Sequence, residues 1–127
     1  ADFQVAPVDE FLRNLPADAV PDWDLAIIDP PKLTQGSIHA HKALQFHRRI
    51  NAAAFRRVRD GGMVVTCDCS GAVSLSDFLE AIAQAGNEAG VTLKLIEITG
   101  GSADHPAPPG FRMGLYLKAL YLEVRRG

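Results

Sequence analysis

Two short apolar runs, each ended abruptly by a polar cluster, constrain the fold of this chain more than any other feature. The first run, Leu25–Ile28, stops at Asp29, and the second, Met63–Cys67, stops at Asp68. Continuous apolar runs of this length are typical of strands that are buried on both faces, as in parallel sheets. We therefore expect both runs to be interior strands of an α/β sheet.

Helical periodicity fills the segment between these two runs. From Lys42 to Val58, apolar residues recur at intervals of three or four, as on one face of a helix. The Asp60-Gly61-Gly62 sequence would then end that helix. Ser74, a residue type that caps helix starts, predicts a further helix after the second run. Strands that alternate with helices favour a parallel sheet with right-handed crossovers.

The two ends of the chain complete the predicted domain. Phe3–Val5 are expected to end a strand, and Pro7–Leu15 to form a short helix. Val91–Ile98 predicts another strand, and Leu115–Val124 predicts a last one after a long loop rich in Gly and Pro. Because no helical segment separates these two strands, the last one is expected to insert antiparallel. The sequence thus predicts one α/β domain of 127 residues with a mostly parallel sheet.

Composition and charge exclude several classes of function. No window reaches the roughly 18 apolar residues of a membrane span, so we expect no membrane partner. The formal net charge of -2 argues against a free-standing nucleic-acid binder, whose domain is usually basic. Cys67 and Cys69 are the only thiols, and they are too close in sequence for a disulfide between them to be expected. Unpaired thiols fit a reducing cytosol, so we expect a cytoplasmic location.

The cluster that follows the first run has a physical use. In Asp29-Pro30-Pro31-Lys32, two successive prolines restrict the backbone and remove two N–H donors. Such a stiff turn can hold the Asp29 carboxylate in one place, where it could accept a hydrogen bond from the exocyclic amine of a flat heterocycle. The alternative is a loop start that happens to contain prolines. Ligands of open α/β sheets bind outside the carboxyl ends of the strands, which is where this cluster lies.

Cys69 lies just past the end of the second run, between Asp68 and Ser70. A thiol nucleophile must be partly exposed and have a lowered pKa. Lys32 from the neighbouring strand end could supply the positive potential that this requires. The alternative is a small buried cysteine, which is the commoner environment of this residue type and fits Cys67 better.

The remaining polar residues carry weaker signals. His39 and His41 could bind a metal, but no second pair of ligands has a suitable spacing, so we expect no metal site. His105 lies in the long loop, where it could contact a substrate or simply shape the loop. Five arginines could face phosphates, although such a set is more often a solvated face; they are Arg48, Arg49, Arg56, Arg57 and Arg59.

Four segments, in this order, resemble segments of S-adenosylmethionine-dependent methyltransferases. Trp23–Lys32 resembles motif IV of the class I enzymes, and Gly61–Gly71 resembles the strand that follows, which in one subgroup ends in Ser-Cys-Ser. Ala103–Pro106 and Gly114–Lys118 resemble two further segments of that subgroup. The subgroup is the large-subunit ribosomal RNA cytosine-5 methyltransferases that carry an N-terminal PUA domain. The resemblance covers nearly the whole chain, from about Val8 onward.

The resemblance implies S-adenosylmethionine as cofactor, ribosomal RNA as partner and a role for each residue of the two clusters. Cys69 would be the nucleophile that adds to carbon 6 of a cytosine, and Asp29 would hold the edge of the base. Asp29 and Pro30 would also contact the cofactor. Asp68 stands where the subgroup usually has Ser, and it is expected to raise the pKa of the neighbouring thiol. Substrate contacts are expected from Pro30, Pro31, Lys32, Ser70 and His105.

The resemblance also implies that half of the class fold is absent from residues 1–127. The Gly-rich loop that cradles the cofactor and the acidic residue that holds its ribose are not found, so we expect the C-terminal half of a Rossmann-like methyltransferase sheet, a partial catalytic domain. Leu25–Ile28 would then form an open apolar edge that favours a homodimer. The isolated chain is expected to bind S-adenosylmethionine weakly or not at all and to be inactive.

Two other interpretations stay open. A methyltransferase that acts on a purine amine or on guanine would also use Asn/Asp-Pro-Pro, but followed by an aromatic residue and without need of a cysteine. Lys32 and Cys69 disfavour it. The second alternative is a non-catalytic α/β interaction module, which the missing Gly-rich loop supports.

Overall fold

The structure is a computed structural model and describes residues 3–16, 18–31, 40–100 and 117–127. In this part of the chain, strands and helices alternate as the sequence predicts. The helices are α1 (Val8–Arg13), α2 (Ala40–Phe55) and α3 (Leu75–Ala89), and the strands are β1 (Trp23–Ile28), β2 (Val58–Asp68), β3 (Thr92–Gly100) and β4 (Lys118–Arg125).

The four described strands form one sheet in the order β1-β2-β4-β3. β1 runs parallel to β2, with Ile28 opposite Thr66. β4 lies between β2 and β3 and runs antiparallel to both. β3 is therefore parallel to β1 and β2. The predicted fold class, a mostly parallel α/β sheet with a last antiparallel strand, is confirmed.

Two helices cover one face of this sheet, and no described helix covers the other. Alternate residues of each strand point to the helices, and the core joins fully buried Val64 and Val124 of the sheet to Phe55 of α2 and Phe78 of α3. The opposite face begins at Leu25 and Ile27 of β1, whose side chains are 54% and 66% exposed. The expectation that the β1 run is buried on both faces is therefore wrong for these two side chains.

The predicted boundary between α2 and β2 is also wrong. The helix ends at Phe55, and the strand already begins at Val58, so Gly61 and Gly62 lie inside a strand. Glycine is needed at position 62 because β1 and the start of β2 approach closely. A Cβ on Gly62 would lie 2.5 Å from Cγ1 of Val58 and 3.1 Å from the carbonyl oxygen of Trp23.

Two predictions for smaller elements have opposite outcomes. Ser74 caps α3 as predicted, and its hydroxyl accepts a hydrogen bond of 3.1 Å from the N–H of Asp77. Phe3–Val5, predicted to end a strand, have irregular backbone and pair with no strand among the described residues. Phe3 is 94% exposed, so the described part of the chain does not bury this apolar segment.

The close approach at Gly62 generates a test of the sheet geometry. We expect Gly62→Ala to lower the free energy of unfolding by about 1–3 kcal/mol, because its methyl group can be accommodated only if backbone atoms move. Gly100→Ala is the matched control, since the nearest atom to its Cβ would be at 3.5 Å, an ordinary contact. Urea denaturation of both variants measures the difference; equal stabilities would contradict the close approach.

Candidate active site at the carboxyl ends of β1 and β2

The two predicted polar clusters lie at neighbouring strand ends. Ile28 of β1 pairs with Thr66 of β2, so Asp29 and Cys67 each lie one residue beyond the same rung of the ladder. The pKa of Cys67 is raised by burial, and also by the proximity of Asp29 and Cys69. The structure thus brings Asp29 and both thiols into one small region.

The Asp-Pro-Pro turn lines part of an apolar groove. Asp29 and Pro31 are exposed and Pro30 is half-buried. With them, the walls of the groove come from the edge strand β1 and from α1 and α2, and its volume is about 850 Å³. Large apolar side chains line most of its length, among them Phe11, Trp23, Leu25, Ile27 and Phe46. The carboxylate of Asp29 is therefore presented beside an apolar surface.

The two cysteines differ in their position relative to the strand but not in how far they are buried. Both are free thiols and both are half-buried. Cys67 is part of β2 and opposes Ala119 across the ladder, whereas Cys69 is the first residue after the strand. The expectation that Cys67 is a core cysteine is wrong, because strand alternation turns its side chain to the face that the helices do not cover.

Asp68, between the two thiols, points to the covered face and is 2% exposed. One carboxylate oxygen lies 2.9 Å from Nε2 of His47, which is fully buried in α2. The other oxygen accepts hydrogen bonds from the N–H of Ser70 at 3.1 Å and from Nζ of Lys118 at 3.2 Å. Lys118 also donates to the carbonyl oxygen of Ser70 at 3.0 Å. We call His47, Asp68, Ser70 and Lys118 the Asp68 network.

These contacts decide the charge of Asp68. Burial alone would raise the pKa of its carboxyl group, but the hydrogen bonds from His47, Ser70 and Lys118 outweigh burial and hold the pKa below its usual range. Since an ionised carboxylate only accepts hydrogen bonds, Nε2 of His47 carries the proton that lies between them. Among the described residues, the second ring nitrogen of His47, Nδ1, has no hydrogen-bond partner.

Asp68 was expected to raise the pKa of the neighbouring Cys69 thiol, and this stays a prediction; the structure shows a different effect at Cys67. The carboxylate that raises the pKa of a thiol is Asp29, and the thiol is Cys67. Asp68 instead faces the helices, where Lys118 forms an ion pair with it and His47 forms a hydrogen bond.

Ser70 is fully buried, and its hydroxyl accepts a hydrogen bond of 3.3 Å from the N–H of Ala72. Its observed part is to shape the turn after β2, and its contact with substrate stays a prediction. Lys32, His39 and His105 lie outside the described residues. In the part of the chain that the structure describes, no group of three or more His, Cys, Asp or Glu side chains could hold a metal ion.

The five arginines of the sequence prediction all contact protein groups. Among these contacts, the ion pair of Arg59 with Asp24 is short at 2.6 Å but 49% and 81% exposed, so it adds little stability. Four of the arginines belong to a paired surface rather than a phosphate site, with Glu88 as partner of Arg48, Asp9 of Arg49, the Glu88 carbonyl of Arg56 and Asp24 of Arg59. Arg57 is different, because its side chain is only 13% exposed and lies against Asp22 and the Trp23 ring.

Sequence reasoning missed the parts that His47 and Lys118 play. A signal for His47 was present: it follows Ala43 by four residues and precedes Ile50 by three, which places it on the apolar stripe of α2. A histidine on such a stripe is buried and needs a polar partner. Lys118 carried no comparable signal, because only the insertion of β4 beside β2 brings it opposite Asp68.

With this geometry described, comparison with solved structures identifies the class of fold. A putative SAM-dependent methyltransferase from Streptococcus mutans superposes on 94% of the chain with a TM-score of 0.67 and 15% identity, and the match spans 30% of that protein. A putative DNA modification methylase from Thermus thermophilus, solved with S-adenosyl-L-methionine, matches 97% of the chain with a TM-score of 0.59 and 19% identity, over 52% of its own length. The fold is that of part of a Rossmann-like methyltransferase.

Comparison of sequences finds relatives that are named ribosomal RNA methyltransferases. The chain is 35% identical over 122 residues to ribosomal RNA large subunit methyltransferase I of Vibrio vulnificus, and a protein of the same name from Alteromonas mediterranea is 33% identical over 102 residues. The chain spans only 30% and 26% of the lengths of these two relatives. No model of a known protein family matches it. No described helix is long and apolar enough to cross a membrane.

The buried Asp68 carboxylate generates a prediction for acid stability. A carboxyl group whose pKa is lowered on folding stabilises the protein at pH values above its unfolded pKa, about 3.9, and this stabilisation is lost as the pH falls through the folded pKa. We expect Asp68→Asn to be about 1–3 kcal/mol less stable than the parent chain at pH 7, because one of its oxygens no longer accepts. The difference between the two chains should begin to shrink below about pH 4 and vanish only below the lowered pKa of the folded state.

Thermal or urea unfolding between pH 3 and 7 measures this convergence. Asp24→Asn is the control, since Asp24 is 81% exposed in its ion pair and its removal should change stability little at any pH. A stability difference for Asp68→Asn that stays constant down to pH 3 would contradict an ionised, stabilising carboxylate.

Proposed function

We propose that this chain is the C-terminal part of the catalytic domain of an S-adenosylmethionine-dependent methyltransferase that modifies carbon 5 of a cytosine in ribosomal RNA. The observation that carries the proposal is the juxtaposition of Asp29 with two thiols at adjoining strand ends. The names and 33–35% identities of the two relatives support ribosomal RNA as the substrate. Such a substrate, with free thiols, favours a cytoplasmic location.

The residues that are present fit the cofactor in part. The groove beside β1 offers an apolar wall with a carboxylate in its lining, which suits a ligand that combines a flat ring with a positive charge. Asp29 and Pro30 would hold S-adenosylmethionine in this groove. When bound, the cofactor supplies an electrophilic methyl group on a sulfonium. The methylase of similar fold that was solved with S-adenosyl-L-methionine supports this assignment.

In the proposed reaction, Cys69 is the nucleophile. Its thiolate adds to carbon 6 of the cytosine, which makes carbon 5 nucleophilic enough to accept a methyl group. A base then removes the proton from carbon 5, the bond between sulfur and carbon 6 breaks, and the thiolate is released. Asp29 accepts a hydrogen bond from the edge of the base. Pro30, Pro31, Lys32, Ser70 and His105 complete the proposed substrate contacts.

The choice between the two thiols has support from their environments. Burial and the charge of Asp29 raise the pKa of Cys67, which lowers the fraction of thiolate at neutral pH. Cys67 also lies within the sheet ladder, where its backbone is fixed by pairing with β4. Cys69 lies outside the ladder, at the strand end where ligands of such sheets bind.

The first prediction of this proposal concerns the two cysteines in the longer enzyme that would contain this chain. We expect Cys69→Ala to reduce formation of 5-methylcytidine in ribosomal RNA on the order of 10³-fold or more, because no covalent adduct can form. Cys67→Ala, the matched control two residues away, should keep methyl transfer. Nucleoside analysis of the RNA after reaction with labelled S-adenosylmethionine measures both. Retained 5-methylcytidine in Cys69→Ala would exclude the adduct, and a methylated purine would favour the alternative enzyme class.

We also propose that the isolated chain forms a homodimer along β1. This strand is an edge of the described sheet, and it carries exposed Leu25 and Ile27. An exposed apolar edge with free backbone N–H and C=O groups is a template for pairing with another strand. A second copy of the same edge is the partner that is always present in a purified sample.

Sedimentation velocity tests this pairing. We expect the chain to dimerise at high micromolar concentration and Ile27→Lys to remain monomeric, because a charge at the centre of the edge opposes burial. Ile96→Lys is the matched control, since Ile96 is 52% exposed on β3 at the other edge of the sheet. The proposal fails if the unchanged chain is monomeric, or if both variants dissociate the dimer equally.

A further inference from the structure

We infer that Asp68 is a positioning residue for Cys69, and that the Asp68 network holds the thiol-bearing turn from the side of the sheet opposite to the substrate. The inference rests on the proposed role of Cys69 and adds a residue that the resemblance to cytosine-5 methyltransferases does not supply. In that resemblance the position of Asp68 usually carries Ser, whose single hydroxyl could not make the same set of contacts.

The first step is the local geometry of the turn. Oδ2 of Asp68 accepts a hydrogen bond from the N–H of Ser70, two residues on, at 3.1 Å. This closes an Asx-turn with Cys69 at its centre. The hydroxyl of Ser70 repeats the pattern by accepting from the N–H of Ala72 at 3.3 Å. Cys69 therefore lies between two residues whose backbone is fixed by side chains.

The second step is the attachment of this turn to the rest of the fold. Nζ of Lys118 in β4 bonds both Oδ2 of Asp68 and the carbonyl oxygen of Ser70, at 3.2 and 3.0 Å. His47 of α2 bonds Oδ1 of Asp68 at 2.9 Å. Hydrogen bonds from α2 and β4 thus hold the residues on either side of Cys69. Hydrogen bonds to a charged group in a buried site are stronger than neutral ones, so the turn is held firmly.

The third step concerns the face of the sheet on which each side chain lies. Asp68 and His47 are 2% and 0% exposed on the covered face, whereas the thiols are half-buried at the open side. Asp68 has no access to a substrate at the strand ends. Its effect on chemistry must then pass through the backbone of Cys69, which is what distinguishes a positioning residue from a catalytic one.

The test uses the 127-residue chain with Cys67→Ser, so that Cys69 is the only thiol. In Asp68→Leu, whose side chain branches at the same carbon but has no acceptor, we expect the N–H of Ser70 to exchange with deuterium at least tenfold faster and iodoacetamide to alkylate Cys69 at least threefold faster. Asp68→Asn should lie between this variant and the parent, because its amide oxygen can still accept from Ser70.

Val64→Ala is the matched control for general loss of stability. Val64 is fully buried on the same face of β2, four residues before Asp68, and its aliphatic side chain cannot hydrogen-bond to the turn. We expect Ser70 exchange and Cys69 alkylation in this variant to stay within twofold of the parent. If Val64→Ala accelerates both as much as Asp68→Leu, or if Asp68→Leu changes neither, the positioning role is overturned.

A kinetic readout in the longer enzyme separates this inference from the proposed function. We expect Asp68→Leu to lower kcat for methyl transfer at least tenfold while KM for RNA changes less than threefold, since Asp68 does not contact the substrate. A rise in KM alone would contradict the inference. Retained 5-methylcytidine in Cys69→Ala would instead contradict the assignment of Cys69 as nucleophile. The exchange measurements would still report whether Asp68 holds the turn.

Discussion

The buried carboxylate of Asp68 is the interaction on which the candidate site depends. Taking an ionised group out of water is costly unless hydrogen bonds and opposite charge replace the solvent. Here Nζ of Lys118, Nε2 of His47 and the N–H of Ser70 replace it, each within 3.2 Å. Because these donors come from a helix, a strand and the turn itself, satisfying the charge also joins three parts of the fold at the point where β2 ends.

Because residues of a strand alternate between its two faces, the anchoring acid and the thiol at the end of β2 lie on opposite sides of the sheet. Successive residues of β2 point to opposite faces, so the acid that anchors the strand end lies under the helices while Cys67 faces away from them. The register with β1 then sets the neighbour of that thiol, because Ile28 opposite Thr66 brings Asp29 beside Cys67. A shift of one residue would exchange the buried acid for a buried thiol and separate the anchor from its partners.

The parts of the fold that sequence could predict are those that local periodicity encodes. The run before Asp29, the helical stripe through Ala43 and Ile50, and the cap at Ser74 each carry their own signal. The errors arose where packing decides the local structure. Gly62 by itself indicated the end of a helix, but it lies in strand β2, where Trp23 approaches it closely. The Asp68 network could not be predicted, since His47 and Lys118 lie 21 and 50 residues from Asp68 along the chain and contact it only in the folded sheet.

The two thiols near the end of β2 raise the question of which one would act as the nucleophile, and their spacing in the sequence does not answer it. The structure supplies a physical difference, since burial and the charge of Asp29 both disfavour the thiolate of Cys67. The same carboxylate that we propose holds the edge of a base would thus also lower the reactivity of Cys67, the thiol that is not the proposed nucleophile. Removing the charge of Asp29 by mutation would then have two effects: contact with the base would weaken, and Cys67 would become more reactive. A site that relies on Cys69 would gain selectivity from a carboxylate placed beside its second thiol.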